Sequence, residues 1–352
     1  MVREIGSEFE WMQGTARGTD ITALFRGCDA VLTFSGRGAA AQVIRDIGPR
    51  KKAALPAWCC ESMIEPFTRA DMEVCFYPVG YEDGLTVDYG AVPEDCDILL
   101  WMRYFGFSTP EPPQALIDRI HRRGGIVMED CTHSLLDKAP VRPFSDYAVC
   151  SLRKWFPLLS GGIAIKKSDT FRTGALPAPP EEYTALRLEA MRKKKAYIDA
   201  GHTGDKQAFL DLYGRANVWL RENWQGLGMD DISAAILAAT DIGAVRQTRQ
   251  RNARVLYEGL RDCPGVKLLF DLCPADAPLF VPVFMENAAR TVLRQALIHE
   301  AVYCPVHWPR PEGCDSPLYD GELSLICDQR YTEEDMHRIV QVIQQIALKG
   351  YR

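Results

Sequence analysis

The sequence has no apolar run approaching the roughly 18 residues that a membrane-spanning helix needs, so no bilayer span is expected. Its opening stretch, "MVREIGSEFEWMQG", lacks the apolar centre of a signal peptide. None of its 12 cysteines form a CxxC pair, and the adjacent Cys59 and Cys60 cannot easily bridge each other. These absences predict a soluble, cytoplasmic chain with reduced thiols. Positive charge is not in excess either. The 41 Lys and Arg stand against 47 Asp and Glu, for a net charge of -6, which argues against a nucleic-acid binder driven by general electrostatics. Internal repeats, low-complexity tracts, the Gly-Lys-Ser/Thr ending of an NTPase loop and the GxGxxG of a dinucleotide fold are all missing, and no metal site is expected.

What is present is ample core material. At 352 residues, with 47% hydrophobic and 10% aromatic side chains, the chain is long enough for a large domain and a smaller one. From about residue 28 to 165, apolar runs alternate with amphipathic segments, the pattern of α/β units around a largely parallel sheet. Seven runs read as strands: "AVLTF", "KAALP", "EVCFYPV", "DILLWMRYF", "GIVMED", "YAVCSL" and "GGIAIKK". Residues 38–48 read as a helix closed by Gly48, residues 180–225 as charged helix, and residues 230–260 as one long amphipathic helix. The remainder alternates strands and helices as an α+β unit. The expected division is an N-terminal segment over 1–27 packing near the small domain, a large domain over 28–240, and a small α+β domain over 241–352.

Three features lie at strand ends, where open α/β sheets place ligands. In "TFSGRGAA" (33–40) a Ser-Gly-Arg-Gly turn opens a helix. Glycines let backbone approach an anion closely, and free amides at a helix N-terminus donate to it. Alone, a plain strand-to-helix turn is the commoner explanation. In "GIVMEDCTHS" (125–134) a strand ends in Glu129 and Asp130, with His133 three residues beyond Asp130. A buried carboxylate there can stabilise a protonated ring nitrogen; a helix or turn cap is the plainer role. In "CSLRKWFPLLSGG" (150–162) Lys154 sits in apolar company, where desolvation favours a nucleophilic amine, although most lysines simply snorkel to water. Together, a phosphate cradle, a carboxylate for a pyridinium nitrogen and a lysine able to form a Schiff base are the attachments that pyridoxal 5′-phosphate (PLP) requires.

These motifs resemble the DegT/DnrJ/EryC1/StrS sugar aminotransferases, PLP-dependent enzymes of the aspartate aminotransferase-like fold type I. "SGRGAA" is similar to their phosphate turn, "LPAWCCESMIEPF" to the next strand and helix, "RYFGF" to the His-aromatic-Gly segment, "VMEDCTHS" to EDxAH/Q, "SLRKWFPLLSGG" to the lysine loop, and "LICDQRYTEEDMHRIVQVI" to the closing segment. The resemblance implies a mostly parallel seven-stranded sheet flanked by helices in the large domain. It implies Lys154 as the internal-aldimine lysine, Asp130 opposite the pyridine nitrogen, and His133 beside the ring. Ser151, Gly36, Arg37 and Gly38 would hold the phosphate. Cys60 stands where many members stack an aromatic residue on the ring, and Trp58 lies two residues earlier on the same strand face. Arg37 and Arg103 replace a usual threonine and histidine, and Phe156 and Pro157 depart from the usual lysine loop.

The same resemblance implies a homodimer with active sites at the interface, working in surface polysaccharide or secondary metabolite synthesis. Glutamate or a similar amino donor and a nucleotide-linked keto sugar acceptor would be the small-molecule substrates, with no nucleic acid or membrane partner. Arg103, Tyr104, Tyr303, His307, Trp308 and Arg330 are the substrate-facing candidates, each with packing or surface as its plainer role. The basic run "RKKK" (192–195) reads first as a solvated helix face. Another fold type I reaction (a lyase, dehydratase or amino-acid-directed transfer) and a PLP-binding regulator are the competing readings.

Overall fold

The computed structural model describes residues 3–12, 18, 20–273 and 276–351. These divide into two compact units, one built from the described parts of 8–49 and 146–242, the other from 3–7, 50–145 and 243–351.

In the first unit the strand Gly162–Lys166, buried throughout, pairs antiparallel with Asp29–Thr33 on one side and Tyr147–Cys150 on the other. The antiparallel turn has a simple cause. Only residues 151–161 join Tyr147–Cys150 to Gly162–Lys166, too little chain for the crossover helix that a parallel neighbour would need. Helix Gly36–Ile47 packs on this ladder, starting two residues earlier than its sequence pattern suggests because Ser35 caps it. Its C-terminus stops at Gly48, whose φ of +75° is cheap for glycine.

The charged stretch 180–225 forms two helices, Glu181–Asp199 and Lys206–Glu222, packed on each other. Phe34, Tyr183 and Trp219 bind them to the strand end through ring contacts at 4.8–5.7 Å. The expected long helix over 230–260 is instead two, Asp231–Ala238 and Ile242–Leu260. The break has a local reason: the Gly18 N–H donates to the Ala238 carbonyl at 2.9 Å and Thr240 Oγ1 bonds back to the Ile236 carbonyl, so the helix end is satisfied without a further turn.

In the second unit the strands Lys52–Pro56, Glu73–Tyr77, Ile98–Met102 and Ile126–Asp130 are all parallel, with Lys52–Pro56 between Glu73–Tyr77 and Ile98–Met102. Ile98–Met102 is buried at every position, which is why it reads as an unbroken apolar run. All seven strands expected between residues 30 and 167 are therefore present, four parallel in this unit and three antiparallel in the other.

A separate antiparallel sheet follows, with Phe280–Phe284 between Lys267–Leu268 and Glu322–Ile326. It shares a core with helices Ile242–Leu260, Asn287–His299 and Glu333–Leu348 through Leu256, Val283, Leu297, Leu325, Ile339 and Ile343. Thr332 and Asp335 form a reciprocal capping box at the start of the last helix. Ile5–Gly6 pairs with Val302–Tyr303, so the first described residues belong to this α+β region. Among the described residues no disulfide forms, and no helix is long and apolar enough to cross a membrane.

Candidate functional site

The first unit brings the Ser-Gly-Arg-Gly turn and the lysine loop together. A Cβ placed on Gly36 would lie 3.0 Å from the Ser151 Cβ, so these two segments converge at a spot where only glycine leaves room. Ser35 Oγ accepts the Gly38 N–H at 3.2 Å, which orients the first turn of helix Gly36–Ile47 and leaves its leading amides at the convergence point. Arg37 is half-buried in that first turn. Lys154 ends a short 3-10 turn, Leu152–Lys154, three residues beyond Ser151.

Backbone bonds hold the loop to the strand end: the Gly161 N–H donates to Phe34 O at 2.7 Å, and the Leu152 N–H to Gly161 O at 3.1 Å. Gly162 is the tightest point. A Cβ there would sit 2.2 Å from the Ser35 carbonyl oxygen and 2.6 Å from Thr33 Oγ1. Gly162→Ala is therefore expected to lower stability by about 1–3 kcal/mol through overpacking, read as a shifted denaturant midpoint; a shift below about 0.5 kcal/mol would contradict the close approach.

The sequence reading missed what steadies the loop from behind. The Leu159 N–H donates to Ser233 Oγ at 2.9 Å, the Ser160 N–H to Asp230 Oδ2 at 3.1 Å, and Tyr183 Oη to the Leu159 carbonyl at 2.7 Å. Asp230 also caps helix Asp231–Ala238 through Ser233. An Asp followed three residues later by Ser is a cap signal visible in sequence, but its second task in a distant loop is not.

The N-terminal strap is the other missed support. Glu8 binds Arg187 Nη2 at 2.7 Å and accepts from Asn217 Nδ2 at 3.2 Å, with Arg153 of the lysine loop close enough to add its field. The "RKKK" run is only partly a solvated face. Lys194 is buried under the strap, donating to the Glu8 carbonyl, while Arg192 lies over the Trp11 ring at 5.7 Å. Against burial, which would raise it, Arg187 and then Arg153 hold the Glu8 carboxyl down at about 2 from an ordinary 4.5. The stabilisation this gives is complete above pH 4.5 and is lost as the pH falls toward 2. With 36% of its side chain exposed, solvent screening leaves roughly 1–2 kcal/mol of it. Glu8→Gln should therefore flatten the acid limb of the stability profile; an unchanged limb would contradict the pairing.

The second unit gathers the other candidates around one aromatic cluster. Asp130 ends its strand, 7% exposed, with one carboxylate oxygen accepting the Thr132 N–H at 2.8 Å, so the turn-capping role is realised. His133 is buried. Its Nδ1 accepts the Phe105 N–H at 3.2 Å, which places the proton of a neutral ring on Nε2. Gly106, at φ +87°, lets "RYFGF" close on this segment: a Cβ there would stand 2.8 Å from the His133 carbonyl oxygen.

Trp308 stacks on His133 with centroids 5.7 Å apart, and Trp58 stacks on Tyr104 at 4.6 Å. The Trp58 ring N–H donates to the His307 carbonyl at 2.9 Å, and Tyr104 Oη to the Trp58 carbonyl at 2.7 Å. Trp58 is thereby fully buried, while Cys60, beside Ser62 at the start of helix Glu61–Thr68, keeps accessible surface. His307 is held by two residues the sequence reading overlooked. Its N–H donates to Glu322 Oε2 at 2.6 Å, and Nδ1 lies 2.7 Å from Ser324 Oγ. Glu322 and Ser324 alternate along the buried strand "ELSLI", and two polar residues sharing one face of such a strand are a readable sign of a buried network.

Arg103 and Arg330, both expected to face substrate, are engaged with protein groups. Arg103 is buried against Glu129 at 3.1 Å, with Asp137 and the carbonyls of Ala139 and Pro140 as further partners. Glu129 in turn accepts from the Arg142 N–H and Ser145 Oγ, so the cluster ties down the loop that follows Asp130. Burial pushes the Glu129 carboxyl above its usual range, with Arg103 opposing the rise. Arg330 is bidentate to Asp328 at 2.9 and 2.7 Å and reaches the Ser7 carbonyl at 3.2 Å, joining the N-terminal residues to the segment that leads into the last helix. Tyr303 lies in the two-residue strand beside Gly6.

No family pattern matches this sequence, and no curated protein sequence matches it. Solved structures do. DesI, determined with its TDP-sugar product, aligns over 94% of this chain and 83% of its own, with 16% identity and a TM-score of 0.65. The aminotransferase TlmJ from Streptoalloteichus hindustanus aligns over 99% of both chains at 13% identity and a TM-score of 0.64. NtdA from Bacillus subtilis, solved with bound cofactor PMP, aligns over 91% of this chain and 73% of its own, at 13% identity and a TM-score of 0.62. At such identities the likeness is one of architecture, and it establishes that this chain has the fold of these aminotransferases, the fold type I arrangement its motifs imply.

Proposed function

We propose that this chain is a PLP-dependent aminotransferase that moves an amino group from glutamate or a similar donor to a keto sugar, with 28–240 as its cofactor-binding domain. The observation that carries the reading is the convergence of Gly36 on Ser151, with Lys154 one short turn away: a cradle that a Cβ would fill, beside a lysine. The residues fit the cofactor's chemistry. Ser151 and the amides of Gly36, Arg37 and Gly38 suit its phosphate, and the buried carboxylate of Asp130 suits a protonated ring nitrogen. His133, stacked on Trp308, is the partner assigned beside the ring.

The bound cofactor supplies an electron sink for the carbanion that forms when the substrate's α-carbon loses its proton. Lys154 would attach the cofactor and then, once displaced by the donor's amine, carry that proton as general base. Asp130 would keep the ring nitrogen charged. Arg103 would position the loop behind Asp130, and Trp58, Cys60, Tyr104, His307 and Trp308 would shape the space beside the ring. DesI and NtdA support the substrate and cofactor classes, since the one was solved with a TDP-sugar product and the other with PMP. A homodimeric cytoplasmic enzyme completes the proposal.

The test is spectroscopic. Protein loaded with PLP should absorb near roughly 410–430 nm, lose the band on addition of glutamate, and regain it with a keto sugar nucleotide. Absence of a half-reaction with every common amino donor would overturn the aminotransferase reading and leave the lyase or regulator.

A further inference from the structure

We propose that Cys59 and Cys314 are a disulfide-forming pair, closed by a small peroxide. Their sulfurs lie 4.0 Å apart although 255 residues separate them in sequence. An S–S bond is about 2.05 Å, so the sulfurs need to approach by about 2 Å to close it. Cys59 follows the strand Lys52–Pro56 and sits between Trp58 and Cys60; Cys314 lies on the segment after His307 and Trp308. The link would therefore fasten together two segments that carry candidate site residues.

Tyr319 holds the pair in register. Its hydroxyl accepts the Cys59 N–H at 2.9 Å and lies 2.8 Å from the Cys59 carbonyl oxygen and 2.9 Å from that of Ala57, fixing the backbone opposite Cys314. The hydrogen bond between the two thiols draws the Cys314 pKa down and pushes that of Cys59 up, and burial adds to the rise at Cys59. Cys314 is also the less buried of the two, 4% exposed against 0%, so it is the one placed to meet the peroxide. The Cys314 thiolate attacks one peroxide oxygen, forming an S–O bond as the O–O bond breaks and hydroxide leaves. The Cys59 sulfur then attacks the Cys314 sulfur, forming the S–S bond as the S–O bond breaks, and its proton leaves with the departing hydroxide as water. The first hydroxide takes up the proton that Cys314 released on ionising, so two thiols are oxidised, one peroxide is reduced, and two waters result.

The pair is tested on the full chain without any assay of turnover, so its outcome is separate from that of the aminotransferase reading. Reduced protein is freed of reductant, treated with hydrogen peroxide, alkylated under denaturing conditions and digested without reduction. The expected product is a peptide pair linked between Cys59 and Cys314. Fragmentation must make the assignment, because Cys60 shares a tryptic peptide with Cys59, and Cys304 and Cys327 share one with Cys314, the Arg310–Pro311 bond resisting trypsin. The link should disappear in Cys59→Ser and Cys314→Ser and on treatment with dithiothreitol. Recovery of both residues as alkylated thiols, in a sample where the exposed Cys273 has been oxidised, would overturn the proposal, as would linkage of either to another cysteine.

Discussion

Lys154→Ala is expected to lower turnover by ~10³-fold or more while the protein stays folded, because on the proposed reading the substitution removes both the attachment point and the base that would carry the proton. Such a loss corresponds to about 4 kcal/mol in the barrier. The loop should survive the change. Its position is set by the bonds from Leu159 and Ser160 to Ser233 and Asp230 and by the Gly161 and Leu152 backbone, none of which uses the lysine amine. A matched measurement gives the chemical reason for any loss: borohydride reduction of PLP-loaded wild type should fix a pyridoxyl group on the peptide containing Lys154. Trapping on a different lysine, or turnover in Lys154→Ala above a tenth of wild type, would remove Lys154 from the role proposed for it.

The largest stability effect is expected at Glu129. Its carboxylate and the Arg103 guanidinium are 0% and 1% exposed, and the pair also holds the Arg142 N–H and Ser145 Oγ. Glu129→Ala strands a buried arginine with Asp137 as its one charged partner among the described residues, and about 3–5 kcal/mol should be lost in chemical denaturation. Glu129→Gln fills the same volume but has one acceptor oxygen where the carboxylate uses two, so one set of donors loses its acceptor; it should still cost less than the truncation, about 1–3 kcal/mol. Replacing both partners, as Glu129→Leu with Arg103→Met, should recover part of the loss, since the fully buried charges are gone while Asp137, 24% exposed, can turn to water and only the Arg142 N–H and Ser145 Oγ lose their acceptor. A Glu129→Ala protein within about 1 kcal/mol of wild type would mean that the arginine finds water on its own.

These two positions differ in how they are read. Lys154 stands out in "CSLRKWFPLLSGG" because a charge in apolar company needs a reason. Glu129 is legible as a buried acid at a strand end, but its partner lies 26 residues back, in a segment whose Arg103 suggests substrate contact. The strand's two-residue alternation separates the carboxylates: Asp130 and Glu129 point to opposite sides, so adjacent residues take different work.

Local pattern determined much of this protein. The seven strands, the Gly48 stop and the α+β pattern of the last hundred residues follow from periodicity and stop signals, which act over a few residues; the Ser35 cap, which starts its helix two residues early, is missing from that reading. The motif set also determined which fold to expect. The resemblance already put Gly36 and Ser151 on one phosphate; tertiary structure alone decided that Gly162 lies against Ser35, that the strap at Glu8 reaches Arg187, and that Cys59 faces Cys314. Each joins residues separated by more than a hundred positions. Their partners are chosen by strand order and by the path of buried chain, and no local spacing in a sequence encodes either.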